Sequence, residues 1–151
     1  MSDTSISRDK FAREVLDAHN AYRKDHGAPP LRLNQEVSKI ATQWAEHLLS
    51  NNTMQHRPNN RYGENIYWAS GGNLTGTDAV RSWYNEINQY SWRRPSFQTK
   101  TGHFTQVVWK ASRELGVGFA RRGNTIYVVC NYDPPGNYAN MFQQNVAPRA
   151  G

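Results

Sequence analysis

Three strand-like segments follow one another in the second half of the chain, after a first half whose apolar residues recur at helical spacing. The strands are expected at residues 104–109, 116–120 and 125–131, and the Gly123-Asn124 pair before the last one suits a tight hairpin. A doubly wound parallel sheet needs strands and helices in regular alternation, which this order lacks. The sequence therefore predicts an α+β fold with helices on either side of an antiparallel sheet.

Apolar residues three or four positions apart predict three helices in the first half of the chain. The first helix is expected over residues 11–26, before the breaker Gly27, and the second follows a cap at Asn34. The third follows a cap at Thr77, after a short strand expected at residues 65–68. The apolar faces of the three helices are, in chain order, Phe11, Val15, Ala18 and Tyr22; Val37, Ile40, Ala41, Trp44 and Leu48; and Val80, Trp83, Tyr84 and Ile87.

Length and composition fit a single domain. The chain has 151 residues, of which 37% are hydrophobic and 12% aromatic, which is enough apolar material for one core. We expect a flexible N-terminal segment at residues 1–10, the folded domain at residues 11–145 and a C-terminal tail at residues 146–151.

The chain is basic, with a net charge of +6 and a pI near 9.7. Such a charge favours contact with acidic surfaces, of which phospholipid headgroups and nucleic acid are the usual candidates. The pairs Arg93-Arg94 and Arg121-Arg122 are each most simply explained as solvated surface charge. Trp92 directly precedes the first pair, and an amphipathic ring beside cations suits a membrane interface. Trp92, Arg93 and Arg94 are therefore candidate membrane contacts, and nucleic acid is the less favoured partner.

Cys130 is the only cysteine, so no disulfide can form within the chain. Small secreted domains commonly rely on disulfides, and a chain without them is typical of a reducing compartment. The N-terminal residues contain no apolar core of signal-peptide length, and no segment approaches the length of a transmembrane helix. We expect an intracellular protein; a signal peptide removed from the natural chain would instead make it extracellular.

Four residues from separate segments are candidates for a functional site. His103 directly precedes the strand expected at residues 104–109, and strand ends hold side chains on a rigid frame while leaving them open to solvent. Glu86 lies beside the apolar stripe of the third helix, at the margin between core and solvent. Taken alone, His56 is an ordinary solvated loop histidine, and Glu64 satisfies backbone donors around a glycine turn.

Two long segments resemble the signatures of a known family. GHFTQVVWKAS at residues 102–112 and YVVCNYDPPGNY at residues 127–138, together with HNAYR around His19, are similar to the CAP superfamily of cysteine-rich secretory, antigen 5 and pathogenesis-related proteins. The resemblance extends over residues 11–142 and implies a three-layer α-β-α sandwich with a mainly antiparallel sheet. Without disulfides, the chain most resembles the Golgi-associated plant pathogenesis-related subgroup, which lies on the cytosolic face of membranes. Several members are myristoylated on glycine, whereas position 2 here is Ser2.

The resemblance also places His56, Glu64, Glu86 and His103 in a tetrad that lines the central cleft of the family. Two neutral imidazoles can bind a divalent metal, best zinc, and nearby carboxylates can complete its coordination or orient a ring nitrogen. The resemblance therefore implies His56 and His103 as metal ligands and Glu64 and Glu86 as cleft residues that support them. Zinc is a possible cofactor and not an obligatory one.

The favoured function is non-enzymatic: peripheral binding to acidic lipid membranes, with a divalent-metal site in the cleft. One alternative is a weak metal-dependent hydrolase with Glu64 or Glu86 as general base, although the chain has no HExxH or GxSxG motif. A second alternative is a secreted defence or effector protein. The resemblance further implies binding of sterol or another lipid and self-association as a homodimer.

Overall fold

The computed structural model, which describes residues 2–71 and 74–149, contains a four-stranded sheet with helices on both faces. In chain order the elements are α1 (Ser2–Asp25), β1 (Arg32–Leu33), α2 (Gln35–Asn51), β2 (Gly63–Ser70), α3 (Gly76–Tyr84), a 3₁₀ helix (Asn85–Gln89), α4 (Gly102–Val107), β3 (Glu114–Arg122), β4 (Thr125–Asp133) and α5 (Phe142–Asn145).

The strands lie in the order β1-β3-β4-β2. β4 pairs antiparallel with both β3 and β2, whereas the two-residue β1 runs parallel to the start of β3. The β3–β4 hairpin turns at Gly123 and Asn124, as predicted, and Gly123 adopts the left-handed conformation (φ +58°) that favours glycine. The predicted α+β class with a mainly antiparallel sheet is confirmed.

The two faces of the sheet carry separate helical layers. Successive side chains of a strand point to opposite faces, so neighbouring residues of β4 enter different clusters. Val129 packs in the cluster that contains Trp44 of α2, whereas Val128 packs in the cluster that contains Val15 of α1 and Trp83 of α3. The layers are therefore α2, the sheet, and α1 with α3 and α4, which confirms the predicted α-β-α sandwich.

Helix α2 lies directly against β3. It begins after Asn34, the predicted cap, whose side chain accepts a hydrogen bond from the Val37 amide at 3.0 Å. Gly116 and Gly118 of β3 allow the close approach, because a Cβ at either position would collide with the backbone of α2. The helix and this strand therefore form one rigid unit.

The strand predicted at residues 104–109 is wrong, because residues 102–107 form helix α4. Every residue from Phe104 to Trp109 is buried. The order of apolar and polar residues in this segment therefore does not show the single apolar face by which a helix is recognised in sequence. The N-terminus of α4 is held by Glu86, a residue distant in sequence, which local periodicity cannot reveal. His103 consequently lies in the first turn of a short helix and not at the end of a strand.

Both ends of the predicted domain extend further than expected. Helix α1 begins at Ser2, so residues 2–10 continue the helix and do not form a separate segment. At the other end Val146 is 4% exposed within the main core, and the Ala147 carbonyl accepts a hydrogen bond from His26 at 2.8 Å. The predicted boundary at residue 145 is therefore too early. Residues 1, 150 and 151 of the predicted end segments lie outside the described residues.

Two local predictions in the first half also need correction. Helix α3 is capped by Thr75 and not by Thr77: Thr75 and Asp78 accept hydrogen bonds from each other's backbone amides in a capping box. Strand β1 was not expected from the sequence, because two exposed residues show no periodicity.

The buried Arg23 joins α1 to the segment that follows α4. Its guanidinium donates hydrogen bonds to the carbonyls of Val107, Trp109 and Ser112 at 2.8–3.0 Å, and to Pro29 at 2.8 Å. Burial lowers its pKa to about 10. Because four carbonyls depend on one side chain, Arg23 fixes the position of α4 and therefore of His103 relative to the core.

Candidate functional site

The first half of the candidate site is a pair formed by His56 and Glu64. Glu64 lies near the start of β2, and its Oε1 accepts hydrogen bonds from His56 Nδ1 at 2.7 Å and from the Arg57 amide at 3.0 Å. Its Oε2 accepts from Asn60 Nδ2 at 3.0 Å and lies 3.5 Å from Asn131 Nδ2. The Glu64 side chain is 5% exposed, whereas that of His56 is 69% exposed. A buried, fully bonded carboxylate therefore holds an open imidazole.

The bond to Glu64 also favours the protonated form of His56. It raises the pKa of His56 above the ordinary histidine value, and partial desolvation opposes this shift. Because a carboxylate can only accept, Nδ1 carries the proton that is donated to Glu64. In the neutral ring, Nε2 then presents its lone pair.

The second half is a pair formed by His103 and Glu86, with the same arrangement. Glu86, in the 3₁₀ helix, accepts from His103 Nδ1 at 2.7 Å through Oε2. Its Oε1 accepts from the backbone amides of His103 and Phe104, each at 3.0 Å, and so caps α4. The ring of His103 also stacks on Trp83, with centroids 6.2 Å apart. Nδ1 is again the donor, and Nε2 is again left with its lone pair.

Consecutive residues of β2 connect the two pairs. Glu64 bonds to His56, and the side chain of Asn65 donates to the His103 carbonyl at 3.1 Å and to the Tyr132 hydroxyl at 3.2 Å. The Tyr132 hydroxyl donates to His19 Nε2 at 2.6 Å. A buried chain of hydrogen bonds thus attaches α4 to the core beside the start of β2, which is an outer strand of the sheet.

Sequence reasoning missed Asn60, Asn65 and Asn131, although Asn65 directly follows Glu64 in the YGEN segment. The hydrogen-bond partners of these asparagines come from other elements that are distant in sequence. The residues next to an asparagine in a strand therefore do not reveal what its side chain binds. Asn131 retains one buried side-chain oxygen without a hydrogen-bond partner among the described residues.

The two pairs do not form a site of four direct metal ligands. Among the described residues, no three His, Cys, Asp or Glu side chains lie together in a group that could hold a metal ion. The carboxylates are instead occupied by the histidine Nδ1 atoms and by amide donors. This is the arrangement in which carboxylates orient imidazole ligands, with Nε2 left for a metal.

Cys130 takes no part in this site. It is fully buried in β4, and burial raises the pKa of its thiol far above the ordinary value. Cys130 is therefore a structural residue of the core.

The candidate membrane contacts lie in the loop between the 3₁₀ helix and α4. Arg93 and Arg94 are exposed, and Trp92 is 39% exposed. Trp92 is also anchored, since its ring packs edge-on against Tyr90 with centroids 4.8 Å apart and stacks on His26 at 6.5 Å. No helix in the described ranges is long and apolar enough to cross a membrane.

Phe97 is a residue of this loop that sequence reasoning missed. It is 55% exposed, and its ring lies over Gly102, where a Cβ would come within 2.8 Å of it. An exposed aromatic residue in a polar loop resembles an ordinary loop residue in sequence, and its contact with Gly102 emerges only from the fold. We refer below to residues 92–97 as the aromatic-basic loop.

Comparisons with known proteins agree with this fold. The family model described as "Cysteine-rich secretory protein family" (CAP) matches residues 16–132. The human Golgi-associated plant pathogenesis-related protein 1 is 41% identical over 145 residues, covering 92% of this chain and 94% of the relative. A pathogenesis-related protein of PR-1 type from Sambucus nigra is 38% identical, covering 85% of this chain and 79% of the relative.

Solved structures share the architecture at lower identity. NaASP2, solved with Zn²⁺, superposes with a TM-score of 0.74 at 22% identity and covers 93% of this chain and 86% of its own. MpPR-1i gives a TM-score of 0.68 at 20% identity, with coverage of 94% and 97%. The family model and the curated relatives each span most of the chain, and the sandwich is the one these structures contain. This chain belongs to the CAP family and is of the pathogenesis-related type.

Proposed function

We propose that the protein is a non-enzymatic binding protein that holds a divalent metal, best zinc, between His56 and His103 and associates with acidic lipid membranes. One observation carries the metal proposal. In both pairs a glutamate accepts the Nδ1 proton of the histidine, so two oriented rings each retain an Nε2 lone pair.

We expect these residues to bind the metal weakly and exchangeably. His56 and His103 would hold it directly, while Glu64 and Glu86 would fix the ring orientations. When bound, zinc supplies a Lewis acid whose remaining positions are open to water. One structural neighbour, NaASP2, was solved with Zn²⁺. Because it is only 22% identical to this chain, the support for a metal comes from the geometry of the histidine–glutamate pairs described above.

The hydrolase alternative receives less support from the carboxylates. Glu64 accepts hydrogen bonds at both oxygens, and Glu86 uses one oxygen to cap α4 and the other to hold His103. A general base needs a free lone pair directed at a water or a substrate. Both glutamates are better suited to positioning histidines than to taking up protons.

Titration calorimetry with zinc tests the metal site. We expect saturable binding near neutral pH and its loss in His56→Ala/His103→Ala, because this double variant removes both Nε2 atoms of the proposed site. Glu86→Gln should weaken zinc binding by about 10–100-fold. Glutamine has a single side-chain oxygen, which cannot both cap α4 and accept the hydrogen bond from the ring of His103.

His47→Ala is the matched control, because His47 is an exposed histidine on α2 that lies outside the pairs. The variant should bind zinc like the parent protein. Unchanged zinc binding in the folded double variant would remove this site, and a loss of binding in His47→Ala would place the metal elsewhere.

The membrane proposal is supported by the aromatic-basic loop. Arg93 and Arg94 are exposed and take part in none of the ion pairs between described side chains, while Trp92 and Phe97 present apolar surface in the same loop. Cations near an anionic bilayer contribute about 1 kcal/mol each, and aromatic rings favour the interface. The binding should be electrostatic and reversible.

Liposome co-sedimentation tests this proposal. Arg93→Glu/Arg94→Glu should reduce partitioning onto anionic vesicles by at least about 30-fold, which corresponds to roughly 2 kcal/mol for two lost cations. High salt should weaken the binding of the parent protein, since the Debye length shortens from about 8 Å at physiological ionic strength.

Arg121→Glu/Arg122→Glu is the matched control, because it makes the same change in net charge at another exposed arginine pair. Equal binding to neutral and anionic vesicles would rule out the electrostatic basis, and equal loss in both double variants would exclude the aromatic-basic loop as the specific contact. Binding to nucleic acid without binding to vesicles would favour the other acidic partner.

The place of action is proposed from the relatives. One curated relative is Golgi-associated and others are pathogenesis-related proteins. We favour the cytosolic face of Golgi or other membranes, with a secreted defence protein as the alternative. Sterol binding and formation of a homodimer stay predictions of the family resemblance.

A further inference from the structure

A groove of about 780 Å³ runs between α1 and α2 along the outer edge of β3. Ala12 of α1 and Thr42 and Gln43 of α2 form its walls, and Val117 and Phe119 of β3 form its floor. The candidate metal site adjoins β2, which is the strand at the opposite edge of the sheet. The groove is therefore a separate feature of the molecule.

The floor of the groove contains backbone groups that lack partners. In an antiparallel pair, alternate residues direct their amide and carbonyl to one neighbour, and the tight hairpin places the even-numbered residues of β3 toward β4. The odd-numbered residues face outward, as the bond from the Asn34 amide to the Leu115 carbonyl (2.9 Å) demonstrates. β1 covers only Glu114 and Leu115, so the sheet edge beyond them is open.

Helix α2 satisfies only part of this open edge. The Val117 amide donates to Ser38 Oγ at 3.0 Å. Among the hydrogen bonds of the described residues, the Val117 carbonyl and both backbone groups of Phe119 take part in none. An edge with free donors and acceptors is a template for another strand.

We infer that this groove binds an extended peptide segment of a partner protein by adding it as a strand beside β3. Such a segment supplies backbone donors and acceptors to the floor and directs alternate side chains to the walls. An acyl chain would leave the amide and carbonyl of Phe119 unpaired, at a cost comparable to lost hydrogen bonds. The edge of a second copy is unsuitable, because helices flank this edge on both sides and would collide with their counterparts.

Charge selects one end of the peptide. Arg121 and Arg122 are exposed where β3 leaves the groove, and neither takes part in an ion pair between described side chains. The ion pair between Arg8 and Glu46 spans the two walls at 4.0 Å, and because the two side chains are 39% and 58% exposed it can open at little cost. We therefore expect small apolar residues in the groove and acidic residues beside Arg121 and Arg122.

Amide NMR titration tests the inference with synthetic peptides that alternate valine and threonine and carry two glutamates at one end. Two probes place the glutamates at the N- or the C-terminus, and a chelator removes metal so that the result is independent of the zinc proposal. We expect saturable shifts and slowed hydrogen exchange at the Phe119 and Arg121 amides with one probe. Gln43→Trp should weaken binding at least tenfold by filling the groove, whereas Ser50→Trp, also exposed on α2, should not.

Two further comparisons separate strand addition from general adhesion. Methylating one alternate set of peptide amides should abolish binding, whereas methylating the other set should leave it intact. Arg121→Glu/Arg122→Glu should weaken binding about tenfold, and Arg93→Glu/Arg94→Glu should leave it unchanged.

Several outcomes would overturn the inference. They are the absence of saturable shifts at Phe119 with either probe, and equal binding of both methylated peptides. Shifts at Phe119 that depend on protein concentration alone would assign the groove to a second copy, and shifts with laurate but not with peptide would assign it to an acyl chain.

Discussion

At the scale of single residues, four of the five histidines divide by the partners of their ring nitrogens. His19 and His26 are buried, and each donates from Nδ1 to a carbonyl and accepts at Nε2 from a tyrosine hydroxyl. His56 and His103 donate from Nδ1 to glutamates, and their Nε2 atoms have no partner among the described residues. The first two are structural, and the second two are available to a ligand.

The buried His19 should make the fold sensitive to acid. Burial lowers its pKa from 6.5 to about 4, so the unfolded state takes up the proton first as the pH falls. Its contribution to the free energy of unfolding is complete above pH 6.5 and is lost as the pH falls from there to about 4, by roughly 3 kcal/mol in total. Urea unfolding of the parent and of His19→Gln across this range measures the difference.

The variant should be less stable at neutral pH and should lose less stability on acidification than the parent. His47→Gln, at an exposed position, is the control and should keep the parent's pH dependence. If His19→Gln loses stability with acid as steeply as the parent, His19 is not the responsible group.

At the scale of elements, sequence patterns located the segments whose partners are local. The cap at Asn34, the hairpin at Gly123 and the face of α2 all depend on residues a few positions apart, and each is confirmed, except that Ile40 of the predicted face is only partly buried. Helix α4 depends on Glu86, which lies 17 residues before His103, and its full burial hides any periodicity. The segment was therefore predicted as a strand although its sequence signature was recognised.

The cap of α3 provides a prediction at this scale. Thr75→Ala should reduce the free energy of unfolding by about 1 kcal/mol, because it removes a side-chain oxygen that accepts from the Asp78 amide. Thr77→Ala, at the position the sequence favoured, should change stability less, since Thr77 lies inside the helix. Chemical denaturation compares the two variants directly. A larger loss for Thr77→Ala would contradict the observed start of α3.

At the scale of the whole molecule, the family signatures predicted the sandwich and the candidate residues but not their division into pairs. The tetrad residues come from four segments, and sequence could not tell whether the carboxylates would bind a metal or orient the imidazoles. In the fold, Glu64 and Glu86 each accept the Nδ1 proton of a histidine. The amides of Asn60, Asn65 and Asn131 lie around Glu64 and His103. The open edge of β3 likewise follows only from the shortness of β1.

A crystal structure grown with zinc and phased on its anomalous signal would show whether the two histidine–glutamate pairs form one metal site. The predicted result is a single anomalous peak within about 2.0–2.1 Å of Nε2 of both His56 and His103, with each Nδ1 still bonded to its glutamate. A zinc ion bound through the carboxylates of Glu64 or Glu86, or bound to only one of the two histidines, would contradict the proposal.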